Sequence, residues 1–180
     1  MKKGVCGICL TAGPLTKDHV PPKGTVTPST VVIRDFAEHF AIPKLPGHPG
    51  RHSATFRTIC HVCNGDRLGT QYDPALKAAC RRVDSWLRAN RLGLSLPETM
   101  RVDVCPQRVA RSIVGHLLAS GVTPDTLRHE GGPVMVQAMR TYFLAPDAPL
   151  PSEISIFTWP YPSPIRTVIP AFLRSALGKL

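Results

Sequence analysis

Aromatic side chains are scarce in this chain, acidic ones are outnumbered, and long apolar runs are missing. Trp, Tyr and Phe together make up 6% of the residues, which disfavours a platform for stacking successive unpaired bases. No stretch approaches the roughly 18 consecutive apolar residues of a membrane-crossing helix, so no membrane partner is expected. Asp and Glu number 12 against 22 Lys and Arg, a formal charge of +10. That excess favours a polyanionic partner, nucleic acid before membrane, without selecting one. The opening MKKGVCGICLTAGP is basic like a secretory leader, but Gly, Cys and Thr break its apolar run and Pro14 ends it. It is therefore not read as a signal peptide, and a cytoplasmic location is expected.

Proline is abundant instead. The 180 residues include 19 prolines, roughly double the usual share of about 5%. The hydrophobic fraction of 43% is that of an ordinary globular chain with a packed core. The expected class is α+β. The first part, residues 1–72, holds seven prolines and few helix formers. Val31–Phe40 suggests a strand running into a helix, Leu45–His52 a loop on its Pro and Gly content, and Ala54–Ile59 a strand. From Asp73 the pattern turns helical. Asp73-Pro74 has the form of a helix N-cap followed by proline. Leu76, Cys80, Val83 and Leu87 then repeat along one face, and Gly93 is a plausible stop. Lys77, Arg81, Arg82, Arg88 and Arg91 occupy other positions, opposed by Asp84. A second helix follows Pro106, with Val109, Ile113, Leu117 and Leu118 as its apolar side and Gly121 as its end. Val134–Phe143 is a third helix candidate, and Ile154–Trp159 and Ile165–Ile169 are short strand candidates. Positive charge is in excess on both sides of residue 72, nine basic against four acidic before it and thirteen against eight after.

Six cysteines complete the inventory, four of them in the pairs Cys6-Gly7-Ile8-Cys9 and Cys60-His61-Val62-Cys63. In a reducing compartment disulfides are the minority outcome. Two Cys-x-x-Cys turns can point four thiolates at one ion and close a tetrahedral zinc site. Such a site has no open position, so its zinc is expected to be structural. A redox role for one pair and substitution of a ligand by His61 are the alternatives. Cys80 lies in the apolar stripe and is read as a buried thiol; Cys105 carries no signal. With fifty residues between Cys9 and Cys60, the two halves must meet as a tertiary contact.

Between the pairs stands Lys17-Asp18-His19-Val20-Pro21-Pro22-Lys23, and Asn64 follows Cys63 directly. The order Cys-x-x-Cys, Asp-His, Cys-x-x-Cys-Asn resembles the HNH endonucleases of the ββα-metal group. It is most similar to the branch that includes phage recombination endonuclease VII, and to bacterial HNH proteins of unknown substrate. The resemblance covers about residues 4–72. It implies a zinc-stapled, treble-clef-like ββα motif over 1–72, with 73–180 as a mainly helical accessory region carrying a short β segment. It also implies a divalent-metal-dependent endonuclease that hydrolyses DNA phosphodiester bonds. By that likeness His19 is the general base, while Asp18 and Asn64 hold a catalytic Mg²⁺ or Mn²⁺. Cys6, Cys9, Cys60 and Cys63 hold one structural Zn²⁺.

The chain departs from the pattern in two respects. The middle asparagine of the motif has no clear counterpart, although His52 or Ser53 could stand there. Arg67 occupies a position that is acidic in the endonuclease VII branch. Lys17, Lys23, Arg57 and Arg67 are the residues expected to grip a phosphate backbone, a role that positions without reading sequence. DNA is the expected partner, and a homodimer remains open. The rival expectation is a catalytically inactive, zinc-stabilised module that binds DNA or another partner.

Overall fold

The computed structural model describes residues 2–25, 30–33, 48–51, 54–90, 101–124, 126–128, 133–156 and 166–168. The architecture is α+β. Strands β1 (Lys3–Val5), β2 (Ala12–Val20) and β5 (Ala54–Cys60) form an antiparallel sheet in the order β1-β2-β5. A second sheet has the order β4-β3-β6, built from β3 (Thr30–Ile33), β4 (His48–Arg51) and β6 (Arg166–Val168). In it β3 runs antiparallel to β4 and parallel to β6. Four helical segments follow the first sheet: α1 (Val62–Tyr72), α2 (Asp73–Asn90), α3 (Pro106–Ser120) and α4 (Val134–Leu144). Among the described residues, no helix is long and apolar enough to cross a membrane.

The β5 strand and all three expected helices are present, but the structure corrects the sequence reading at several points. The expected loop at Leu45–His52 contains β4. Its Pro49 lacks an N–H yet pairs with Val32, which is tolerated because β4 lies at a sheet edge. Ile154–Ile156 forms no strand; the Ile154 N–H closes a turn onto the Pro151 carbonyl at 2.9 Å. Residues 34–40, 91–93 and 157–165 lie outside the described set, as does Ile169, so the expectations placed there concern residues beyond it.

Asp73 opens α2, but not as an N-cap. Its backbone is already helical, at φ −58° and ψ −34°, and its N–H bonds the Leu68 carbonyl five residues back. The helix thus begins after His61, winds as a π-helix through α1, and tightens into α2 at Pro74. Proline has no N–H to donate, so it suits the point where one hydrogen-bond ladder gives way to another. The wider winding shows in the burial of Cys63, Leu68 and Tyr72, at spacings of five and four.

The core joins both parts of the chain. Cys6, Ile8, Leu15 and Ile59 from the first sheet pack with Leu68 and Tyr72 of α1, Val114 and Leu118 of α3, and Tyr142 and Phe143 of α4. The Tyr72 and Phe143 rings meet edge to face, with centroids 5.4 Å apart and planes at 79°. Helix α3 packs against β2, β5 and all three other helical segments, so it is the central strut.

Candidate functional site

The four paired cysteines converge as their spacing predicts. Their sulfurs all lie within 4.8 Å of one another, and Cys9 Sγ stands 3.7 Å from Cys60 Sγ. A tetrahedral zinc with bonds of about 2.3 Å separates its sulfurs by about 3.8 Å, so the set fits that ion. The first pair is shaped as a tight turn. Cys6 N–H bonds the Thr11 carbonyl and Leu10 N–H bonds the Cys6 carbonyl, each at 3.0 Å. Leu10 takes a left-handed φ of 60° to close it. The turn is tied to β5 by Gly7 N–H on the Thr58 carbonyl at 2.8 Å. Buried Arg140 of α4 donates from Nε to the Gly7 carbonyl at 3.0 Å and from its other arm to the Thr126 carbonyl.

Crowding four thiols makes the place hungry for a cation. The hydrogen bond from Cys63 pushes Cys6 down to about 4, and the Cys60 N–H at 3.3 Å assists. In return Cys63 is pushed far up by the thiolate that it faces, and burial raises Cys60. One thiolate is accommodated while Cys60 and Cys63 are held protonated; a bound dication would remove that conflict.

Next to this cluster lie the residues singled out for chemistry. Strand β2 carries Asp18 and His19 near its end at Val20. The β2–β5 register pairs Thr16 with Ile59 but Asp18 with Phe56, so Lys17 faces two residues of β5 in a bulge. Asp18 is 3% exposed; its Oδ2 is 3.0 Å from Nδ1 of His116 on α3. His19 is half-buried. Burial, then the positive charges of Lys23 and Lys17, hold its pKa below the ordinary 6.5 against the opposing pull of Asp18. It is therefore neutral at pH 7.

Asn64 sits in the first turn of α1. Its Nδ2 donates to Thr16 Oγ1 at 2.9 Å and to the Lys17 carbonyl at 3.1 Å. The amide nitrogen is thus spent on β2, one peptide before Asp18, which brings Asn64 and Asp18 to the same end of the hairpin. Lys17, Lys23 and Arg57 are exposed. Arg67 is turned inward in part, donating to the Leu144 carbonyl at 2.8 Å.

The sequence reading missed His116. It is 4% exposed and also places Nε2 3.0 Å from Asp73 Oδ1, which accepts Ser112 Oγ at 2.7 Å. A buried chain Asp18–His116–Asp73 thereby connects β2, α2 and α3. Burial works against a charge on His116, but the two carboxylates outweigh it and push the group up to about 9. The expected apolar side of α3 was Val109, Ile113, Leu117 and Leu118. Of these the structure buries Leu118 fully, leaves Val109 and Ile113 half-buried and exposes Leu117, while Ser112, Val114, Gly115, His116 and Ala119 are also buried. Small and polar residues at steps of three and four were the available signal.

Compared with known proteins, the chain matches no family model, no curated protein and no solved structure.

Proposed function

We propose that the protein is a divalent-metal-dependent endonuclease of the HNH type, hydrolysing DNA phosphodiester bonds with His19 as general base. The observation that carries this reading is the setting of His19. It stands at the end of a hairpin strand, half-exposed, and partial burial, helped by the flanking lysines, keeps it neutral and able to accept a proton at pH 7. Those lysines, with Arg57, are exposed and in this reading would neutralise phosphates.

Asp18 and Asn64 would hold the catalytic cation. Among the described residues, the only group of three or more His, Cys, Asp or Glu that closes on one point is the four-cysteine set. A cation at Asp18 and Asn64 would therefore take most of its oxygens from water and phosphate, as Mg²⁺ commonly does. When bound, it supplies charge to the phosphate and leaving oxygen. The zinc is structural in this reading, fixing α1, and with it Asn64, against β2. A cytoplasmic setting belongs to the same reading, since it keeps the thiols reduced for the metal.

The engagement of Asp18 with His116 favours a second reading, a zinc-stabilised binding module in which Asp18 is purely a structural anchor. A cleavage panel separates the two. Zinc-loaded protein is incubated with plasmid, branched and single-stranded DNA under titrated Mg²⁺ or Mn²⁺, beside the His19→Ala variant. The nuclease reading expects metal-dependent cutting that falls about a hundredfold or more in the variant, with zinc content and melting temperature unchanged. Binding of DNA without metal-dependent cutting, or equal cutting by His19→Ala, overturns it.

A further inference from the structure

We infer that His116, backed by Asp73, is a positioning residue for the candidate site. It fixes the Asp18 carboxylate and so couples helix α3 to the strand that carries His19. The inference rests on the nuclease reading and extends it to a residue outside the motif.

The geometry is a linear relay of contacts. His116 uses Nδ1 toward Asp18 Oδ2 and Nε2 toward Asp73 Oδ1, both at 3.0 Å, and Ser112 Oγ closes the far end at 2.7 Å. Asp18, Asp73 and His116 are 3%, 6% and 4% exposed, so water does not compete for these bonds. A carboxylate free to rotate offers its oxygens in any direction. One with Oδ2 pinned by a ring that is itself pinned offers its remaining oxygen in one direction. Hydrogen-bonded partners behind a metal-binding carboxylate commonly act in this way. Stability alone does not explain the arrangement, because well-packed apolar residues serve a buried core at least as well as an ion chain.

Two substitutions divide the relay. The amide nitrogen of asparagine falls near the place of the imidazole Nδ1, and that of glutamine near Nε2. His116→Asn therefore keeps the donor to Asp18, whereas His116→Gln keeps only the donor to Asp73. Glutamine is the closer match in volume, so a purely structural role would favour it. The zinc-loaded full chain and both variants are titrated with Mn²⁺, following free Mn²⁺ by electron paramagnetic resonance and, separately, the rate of plasmid cleavage.

The expected result is a roughly ten- to hundredfold higher half-saturating Mn²⁺ for His116→Gln in both readouts. His116→Asn should stay near the parent, and the rate at saturating Mn²⁺ should be similar in all three. Equal Mn²⁺ dependence in the two variants, or the reverse order, overturns the inference. If neither variant folds, Ser112→Ala serves: it is expected to shift the Mn²⁺ midpoint upward by less, and no shift counts against the relay. A parent that neither binds Mn²⁺ nor cuts takes down the nuclease reading and this inference with it. A parent that does both while the variants behave alike removes the inference alone.

Discussion

His19 and His116 show how one side chain takes opposite electrostatic characters within a single small protein. Burial disfavours the charged form of both. For His19 nearby lysines add to that effect, and the group is held below 6.5. For His116 two carboxylates reverse it and carry the group to about 9. The second shift has a consequence for stability that can be signed. An unfolded histidine titrates near 6.5, below the folded value. The contribution of His116 is therefore complete below pH 6.5 and drains away as pH rises toward 9. Burial moves Asp73 up, but His116 and Ser112 outweigh it and leave the carboxyl below 3.8, so its contribution is lost only in acid. Urea unfolding of the zinc-loaded chain at pH 6, 7.5 and 9 reads this directly. The parent should lose a few kcal/mol more across that range than His116→Asn; parallel curves would show that His116 is not charged in the folded state.

At the scale of elements, α3 is where sequence and structure part company. The helix itself was legible, from Pro106 to the glycine at 121, and so were the helical runs from Asp73 and Val134. The strand before Cys60 was legible from its alternation and β-branched content. What the pattern hid was which side of α3 faces inward. A search for apolar stripes selects Ile113 and Leu117, but the buried face holds Ser112, Gly115 and His116 because the other elements approach closely and supply polar partners. The π-wound α1 was hidden for a related reason, since its buried residues follow no 3.6-residue period. Asp73 looked like a cap because its neighbour is proline; its real partners lie 39 and 43 residues away in sequence, and no local rule finds them. Gly115 tests the close approach. An added Cβ there would lie 2.5 Å from Phe143 Cε2 and 2.7 Å from Leu68 Cδ2, both side chains being fully buried. Alanine gains about 1 kcal/mol of helix propensity over glycine, whereas overpacking costs about 1–3 kcal/mol. Gly115→Ala should therefore destabilise by a net amount of up to about 2 kcal/mol in denaturant unfolding; a stabilised variant would mean that α3 and α4 separate easily.

For the whole molecule, the paired cysteines and the +10 charge were legible from the start, but the division at residue 72 conceals how the two parts depend on each other. Cys6 and Cys63 belong to the same packed cluster as Val114, Leu118 and Phe143, and Arg140 of α4 holds the carbonyl of Gly7 inside the first cysteine turn. The second part contributes no sulfur to the four-cysteine cluster, yet its helices close over it. Structural zinc sites supply on the order of 10–16 kcal/mol in small metal-dependent folds, while whole domains are stable by only about 5–15 kcal/mol. Without a bound cation, the conflict among Cys6, Cys60 and Cys63 would return. The loss should therefore exceed what the remaining core provides, and it should not stop at the sheet. Stripping zinc with a chelator, or replacing Cys60 by serine, is expected to unfold α3 and α4 together with the cysteine turns. Amide hydrogen exchange reports on each helix separately. If α3 amides keep their protection after the zinc is gone, the accessory helices fold on a core of their own. If protection collapses along α3 and α4 at the same chelator concentration as in β5, the four-cysteine cluster and the buried histidine relay belong to one cooperative unit.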